Sequence, residues 1–231
     1  MRVALISDLH IHGREDPTQA AFVRWLDALE ADQLVLLGDI FHAWWGFRGT
    51  VPVDYVAACA ALERIRTRGI ELVVVPGNHD FALGPFFTET LGAQVLDAHT
   101  RSFDGLQVCL AHGDEADDSV GYWIASKLLR GRPFSALMNM LGPSLGMRLL
   151  HTLAGSSRDH MGSAEPLLRA QEAWAAARIQ QGVDIVVVGH LHHPGIVSLD
   201  SGTLVRLGGW GHDRTWCLLE GGVPRLMVAD Q

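Results

Sequence analysis

The sequence predicts an α/β fold, and three observations carry that reading. Short apolar runs rich in β-branched residues recur along the chain, helical patterns separate the early ones, and a metal-capable side chain follows most of them. The chain has 231 residues, so a single domain spanning 1–231 is the simplest organisation, and a domain of that size buries roughly 70% of its unfolded surface. Hydrophobic residues make up 48% of the composition and charged residues 19%, enough apolar surface to offset the entropy of ordering.

The elements follow in order. The first strand, Val3 to Ile6, ends in Ser7-Asp8-Leu9-His10, and a helical pattern runs from Thr18 to Leu29. The second strand, Leu34 to Leu37, ends in Gly38-Asp39, and a second helix runs from Tyr55 to Arg68, stopped by Gly69. The third, Leu72 to Val75, leads into Pro76-Gly77-Asn78-His79-Asp80. The fourth, Val108 to Ala111, precedes His112-Gly113-Asp114, and the fifth, Ile185 to Val188, precedes Gly189-His190-Leu191-His192. A sixth spans Thr203 to Leu207, and all six read as strands buried on both faces.

Ligands of open α/β sheets gather beyond the carboxyl ends of the strands, so residues spread over most of the chain can meet at one site. Taken singly, an Asp after a strand is ordinarily a turn former or a helix cap, Gly-Asn a turn, and a lone His a hydrogen-bonded core residue. Five such strand ends in one chain, with histidine recurring among them, point instead to metal ligation. Glycine beside Asp39, Asn78, His112 and His190 permits sharp turns and close backbone approach. Carboxylate, carboxamide and imidazole donors with no thiolate nearby suit Mn²⁺, Fe²⁺ or Zn²⁺. The three cysteines, Cys59, Cys109 and Cys217, lie within apolar patterns and read as reduced core residues.

A net charge of −8 argues against a broad basic surface for nucleic acid. Trp123 to Arg169 departs from that balance, with Lys127, Arg130, Arg132, Arg148, Arg158 and Arg169 against Asp159 and Glu165; the segment is either an anion-docking surface or a solvated helix face. No leader pattern opens the chain and no run of about 18 apolar residues interrupts it, so the expectation is a cytosolic protein.

The ordered pattern D-x-H, G-D, G-N-H-D, H-G-D, G-H-x-H, from Asp8 to about Asp213, resembles the calcineurin-like metallophosphoesterase family. The resemblance implies a four-layer αββα sandwich of two mixed sheets. It also implies two divalent ions, Mn²⁺ first with Fe²⁺, Zn²⁺ or Mg²⁺ as alternatives. Asp8, His10 and His192 would hold one ion, Asn78, His112 and His190 the other, and Asp39 would bridge them. A hydroxide shared by the ions would attack phosphorus, with His79, paired with an aspartate such as Asp80, protecting or protonating the leaving oxygen.

Flanking residues are similar to a narrower group, the UDP-2,3-diacylglucosamine pyrophosphatases of lipid A biosynthesis. Leu37 to Gly46, Gly77 to Gly84, His112 to Tyr122 and Leu207 to Trp210 carry that similarity. It implies a nucleotide-linked glycolipid substrate, cleaved to UMP and 2,3-diacylglucosamine 1-phosphate by a monomer at the cytoplasmic face of the inner membrane. Substrate contacts would come from Asn78, His79, Asp118, Tyr122, Arg158 and His190, and a helical lid would occupy about 123–161. The lid's surplus of apolar residues suits an acyl-chain groove, a membrane surface or packing onto the core. His79, and Gly155 to His160 at the lid's end, depart from the narrower group. Another phosphodiester, nucleotide or phosphoprotein substrate therefore remains the alternative, and a metal-holding scaffold without turnover is the reading of a different class.

Overall fold

Strand β1 (Arg2–Ile6) is buried on both faces, Val3 and Leu5 on one side and Ala4 and Ile6 on the other. The structure, a computed structural model, describes residues 1–116, 127–157 and 164–229. The same alternation recurs in β2 (Gln33–Leu36), β4 (Glu71–Val74), β8 (Leu106–Leu110) and β9 (Ile185–Val188), and it creates three apolar layers. Strand β3 (Trp44–Trp45) lies between β2 and β4 in sequence.

One sheet has the order β13 (Val223–Val228), β12 (Thr215–Glu220), β1, β2, β4 and β6 (Gln94–Val95), and the other β10 (Gly195–Leu199), β11 (Gly202–Arg206), β9, β8 and β7 (His99–Phe103). In the first, β1, β2, β4 and β6 are parallel, while β12 runs antiparallel to β1 and pairs with β13. In the second, β8, β9 and β11 are parallel, with β7 and β10 antiparallel at the edges. Val3, Leu5, Val35, Val73, Val108, Leu110, Ile185 and Val187 form the core between the sheets. Helices α1 (Pro17–Ala28) and α2 (Val56–Thr67) cover the outer face of the first sheet. The arrangement is the expected sandwich of two mixed sheets between helices, and the six foreseen strands and two foreseen helices are present within about a residue or two of their expected ends.

Local chemistry explains the boundaries. Asp16 caps α1, its side chain accepting from the Thr18 amide at 2.8 Å, and Pro17 occupies the first turn, where no amide is needed. Gly69, at φ 81°, ends α2. Six further strands besides β3 were not anticipated: β5 (Asp80–Ala82), β6, β7, β10, β12 and β13.

Helix α3 (Arg132–Ser157) is broken at Gly142 (φ 68°, ψ 178°), before Pro143. Its Met138, Leu150 and Ala154 are buried against Ala43, Trp45 and Phe47. Leu128, Met140 and Leu145 near or on it are exposed by 67%, 77% and 55%. Helix α4 (Ala164–Ile179) covers the outer face of the second sheet. Among the described residues no helix is long and apolar enough to cross a membrane.

Candidate metal centre

The loops leaving β1, β2, β8 and β9 meet over one edge of the sandwich, and their backbones are unusual. Asp8, His10, Asp39, His190 and His192 all adopt left-handed backbone angles, with φ of 57°, 48°, 56°, 73° and 52°. Non-glycine residues there store strain on the order of 1 to 3 kcal/mol each and cluster at functional sites. The glycines beside them have no room for a side chain. A Cβ on Gly38 would lie 2.5 Å from Gly77 and 2.6 Å from His112 Nδ1, one on Gly77 would overlap Asp39 Oδ1, and one on Gly189 would overlap Ser7 Oγ and approach Asp8 Oδ2 to 2.5 Å. The loops interlock through these missing atoms.

Hydrogen bonds then aim the carboxylates. Asp8 Oδ2 accepts from the His190 amide at 2.8 Å, and Asp39 Oδ1 accepts from the His79 amide at 2.8 Å. Their second oxygens face imidazoles: His192 Nε2 is 3.3 Å and His10 Nε2 3.8 Å from Asp8 Oδ1, while His10 Nε2 is 3.7 Å and His112 Nε2 3.5 Å from Asp39 Oδ2. The two Nε2 atoms of His10 and His192 are 3.2 Å apart. Ligand atoms of Asp8, His10 and His192, of His10, Asp39 and His79, and of Asp8, Asp39 and His112 each lie within 4.8 Å of one another.

This donor set fits divalent cations. His112 Nδ1 donates to the Leu37 carbonyl at 2.7 Å, so its Nε2 is turned toward Asn78 Oδ1, 3.1 Å away, and Asp39 Oδ2. Three acceptor-type atoms converging in a buried place need positive charge among them, either a proton on the ring or a metal ion. The titration behaviour has the same cause. Burial opposes charging His112, yet Asp39 and Asp8 hold its pKa well above the ordinary value. Burial likewise opposes ionising Asp39, yet the surrounding His112, His79 and His10 hold it well below the usual carboxylate range. Burial pushes the His10 imidazole down to about 3, despite Asp39 and Asp8, which leaves it in the neutral form that binds metal.

Asn78 and His112 are therefore within hydrogen-bonding distance, and Asp39 reaches His10, His79 and His112. The His190 ring stands edge-on to His112, centroids 5.2 Å apart. Asp118, Tyr122 and Arg158 lie outside the described residues. His79 and Asp80 have separate hydrogen-bond partners. His79 Nδ1 donates to the His42 carbonyl at 2.6 Å, while Asp80 Oδ2 accepts the amides of Asp39 and Gly77 at 2.8 and 3.1 Å. Asp80 ties two motif loops together, and burial with the nearby Asp39 pushes its pKa up to about 6.

One residue escaped sequence reasoning, and His42, a histidine near the motifs, supports the site through an unforeseen group. Gln171, buried on α4, donates to the carbonyls of Gly189 (3.1 Å) and Gly113 (3.5 Å), clasping the two histidine loops. Only its place on an apolar helix face hinted at burial. His42 acts through its carbonyl, and side-chain type carries no signal for that.

The flanking similarities also acquire a geometry. Strands β3 and β5 pair in parallel, Trp44 opposite Asp80 and Trp45 opposite Ala82, so Leu37 to Gly46 and Gly77 to Gly84 are neighbours in space. Gly46 and Gly84 touch through their backbones; a Cβ on Gly46 would sit 2.6 Å from Gly84 Cα. Both stretches end in glycine because the two chains cross there.

The family model of calcineurin-like phosphoesterases matches residues 1–194. The UDP-2,3-diacylglucosamine hydrolase of Pseudomonas putida is 31% identical over 226 residues, covering 94% of this chain and 93% of that protein. The protein of that name from Chromohalobacter salexigens is 32% identical over 228 residues, covering 94% and 92%. Among solved structures, a novel archaeal phosphodiesterase superposes with a TM-score of 0.53 at 13% identity over 99% of each chain, a likeness of fold. The interlocked loops, the donor set and this match over most of the sequence place the chain in the calcineurin-like phosphoesterase family.

Proposed function

We propose that the protein hydrolyses the diphosphate of UDP-2,3-diacylglucosamine, giving UMP and 2,3-diacylglucosamine 1-phosphate, at a site for two divalent ions. The observation that carries this reading is the convergence of Asp8, His10, Asp39, Asn78, His112 and His192 with acceptor atoms turned toward one another. In this reading Asp8, His10 and His192 hold one ion, Asn78, His112 and His190 the other, and Asp39 is shared. Mn²⁺ is the first candidate, with Fe²⁺, Zn²⁺ or Mg²⁺ as alternatives. Bound ions would supply acidification of a water and neutralisation of charge on the phosphoryl oxygens.

The chain's own residues do the rest. The His42 carbonyl occupies Nδ1 of His79 and fixes the ring, edge-on to His10 with centroids 4.8 Å apart, so Nε2 faces the site and would pass a proton to the leaving oxygen from the doubly protonated ring, which then returns to its Nδ1–H form. Asn78, His79 and His190, together with Asp118, Tyr122 and Arg158, are the proposed substrate contacts. The chain acts as one domain, residues 1–231, with a helical lid at about 123–161. The exposed Leu128, Met140 and Leu145 support an acyl-binding or membrane-facing role for that lid, at the cytoplasmic surface of the inner membrane. The relatives named above support the substrate.

The test is turnover by the Mn²⁺-loaded protein of UDP-2,3-diacylglucosamine and of bis-p-nitrophenyl phosphate. Selective UMP release from the lipid is expected. Cleavage of the simple diester alone would move the assignment to another phosphodiester, and bound metal without any turnover would make the chain a scaffold.

A further inference from the structure

Arg130 belongs to the locally basic segment and occupies a turn just before α3. Its Nη2 donates to the Gly77 carbonyl at 2.9 Å and stands 3.8 Å from Asp114 Oδ2. Gly77 precedes Asn78, and Asp114 follows His112 by two positions. One guanidinium thus spans the two loops whose Asn78 and His112 meet at 3.1 Å. Both contacts use the same nitrogen of a group that carries five donors. The arginine side chain is 39% exposed, so it stands at the rim of the site rather than in its floor.

A diphosphate brings two phosphoryl groups, and an ion pair that clamps one of them leaves the charge of the other to be met by protein. Arginine suits that duty, being always charged and able to match phosphate oxygens with a planar fork. A simple phosphodiester has only the one phosphoryl group that the ions would clamp, and so has no second one for such a fork to hold. We propose that Arg130 is a specificity-determining residue that grips the second phosphoryl group of a diphosphate substrate beside the Asn78 and His112 loops. The inference rests on the proposed hydrolase reading and extends it to how a diphosphate is told from a monophosphate.

The experiment compares wild type, Arg130→Lys and Arg130→Ala, all loaded with Mn²⁺, on UDP-2,3-diacylglucosamine and bis-p-nitrophenyl phosphate. UDP and UMP are also titrated as inhibitors of diester cleavage, with Mn²⁺ in excess. Arg130→Ala is expected to lower kcat/KM on the lipid by about 10- to 100-fold, mostly through KM, the size of one lost charged hydrogen bond. The loss on the diester should be several times smaller, and the preference for UDP over UMP should shrink by a factor like that on the lipid. Arg130→Lys, retaining charge without the fork, should fall between, and added guanidinium ion should restore part of the Arg130→Ala rate on the lipid. Equal losses on both substrates, or an unchanged UDP to UMP preference, would overturn the proposal and leave Arg130 as a loop tie. A wild type that cleaves the diester but spares the lipid would end the lipid assignment, and the UDP to UMP comparison would still decide on Arg130.

Discussion

The strand-end loops and helix α3 solve opposite problems with similar residues. In the loops, five acids and histidines are held at left-handed angles by glycines that have no space for a Cβ. Along α3, Gly142 breaks the helix with nothing near it, Gly155 also meets no neighbour, and Met140 and Leu145 face solvent. The first region spends stability on geometry, as sites that must hold charges close together do. The second leaves apolar surface uncovered, as surfaces that meet a partner do. The loops are thus fixed by interlocked backbones, whereas α3 packs on the core through Met138, Leu150 and Ala154 and leaves Met140 and Leu145 to solvent.

The largest effect is expected for Asp39→Ala in the loops. Its carboxylate reaches His10, His79 and His112, so removal is expected to cost about a thousandfold or more in kcat, read by steady-state kinetics on either substrate. An undiminished rate would remove the site from these loops. Gly77→Ala comes next, because its methyl would overlap Asp39 Oδ1. It should lower stability by about 2 kcal/mol or more and activity by at least tenfold, measured by urea unfolding and turnover. Replacing both Met140 and Leu145 by Asp should change stability by no more than about 0.5 kcal/mol yet reduce binding to anionic lipid vesicles roughly tenfold. Vesicle binding unaffected by those charges would mean that α3 meets no lipid. The smallest effect is expected for Gly155→Ala, which meets no atom and should stabilise the helix by up to about 1 kcal/mol; a loss of stability there would contradict the contrast with Gly77.

Much of this was readable beforehand, for a physical reason. Strands buried on both faces are uniform apolar runs, and the residues that end them are polar by contrast, so Asp8, Asp39, Asn78, His112, His190 and His192 were visible in the sequence at the places where a sheet would gather them. The hairpin of β12 and β13 was overlooked although Gly221-Gly222, both at positive φ, is a turn signal for two-residue loops. Short β3 and β5 have no periodicity to detect, since their pairing depends on Gly46 and Gly84 meeting in space. The family resemblance implies an aspartate such as Asp80 beside the His79 ring, and the amides of Asp39 and Gly77 that Asp80 accepts have no counterpart in residue type. A backbone donor cannot be read from residue types, nor can the His42 carbonyl that orients His79.

Whether these loops hold two cations decides the function of the site. Protein stripped with a chelator should be inactive, and titration with Mn²⁺ followed by electron paramagnetic resonance and turnover should saturate at two ions per chain, with the spectrum of a coupled pair appearing as activity returns. Full activity in the stripped protein, or complete recovery at a single ion, would contradict a two-ion site.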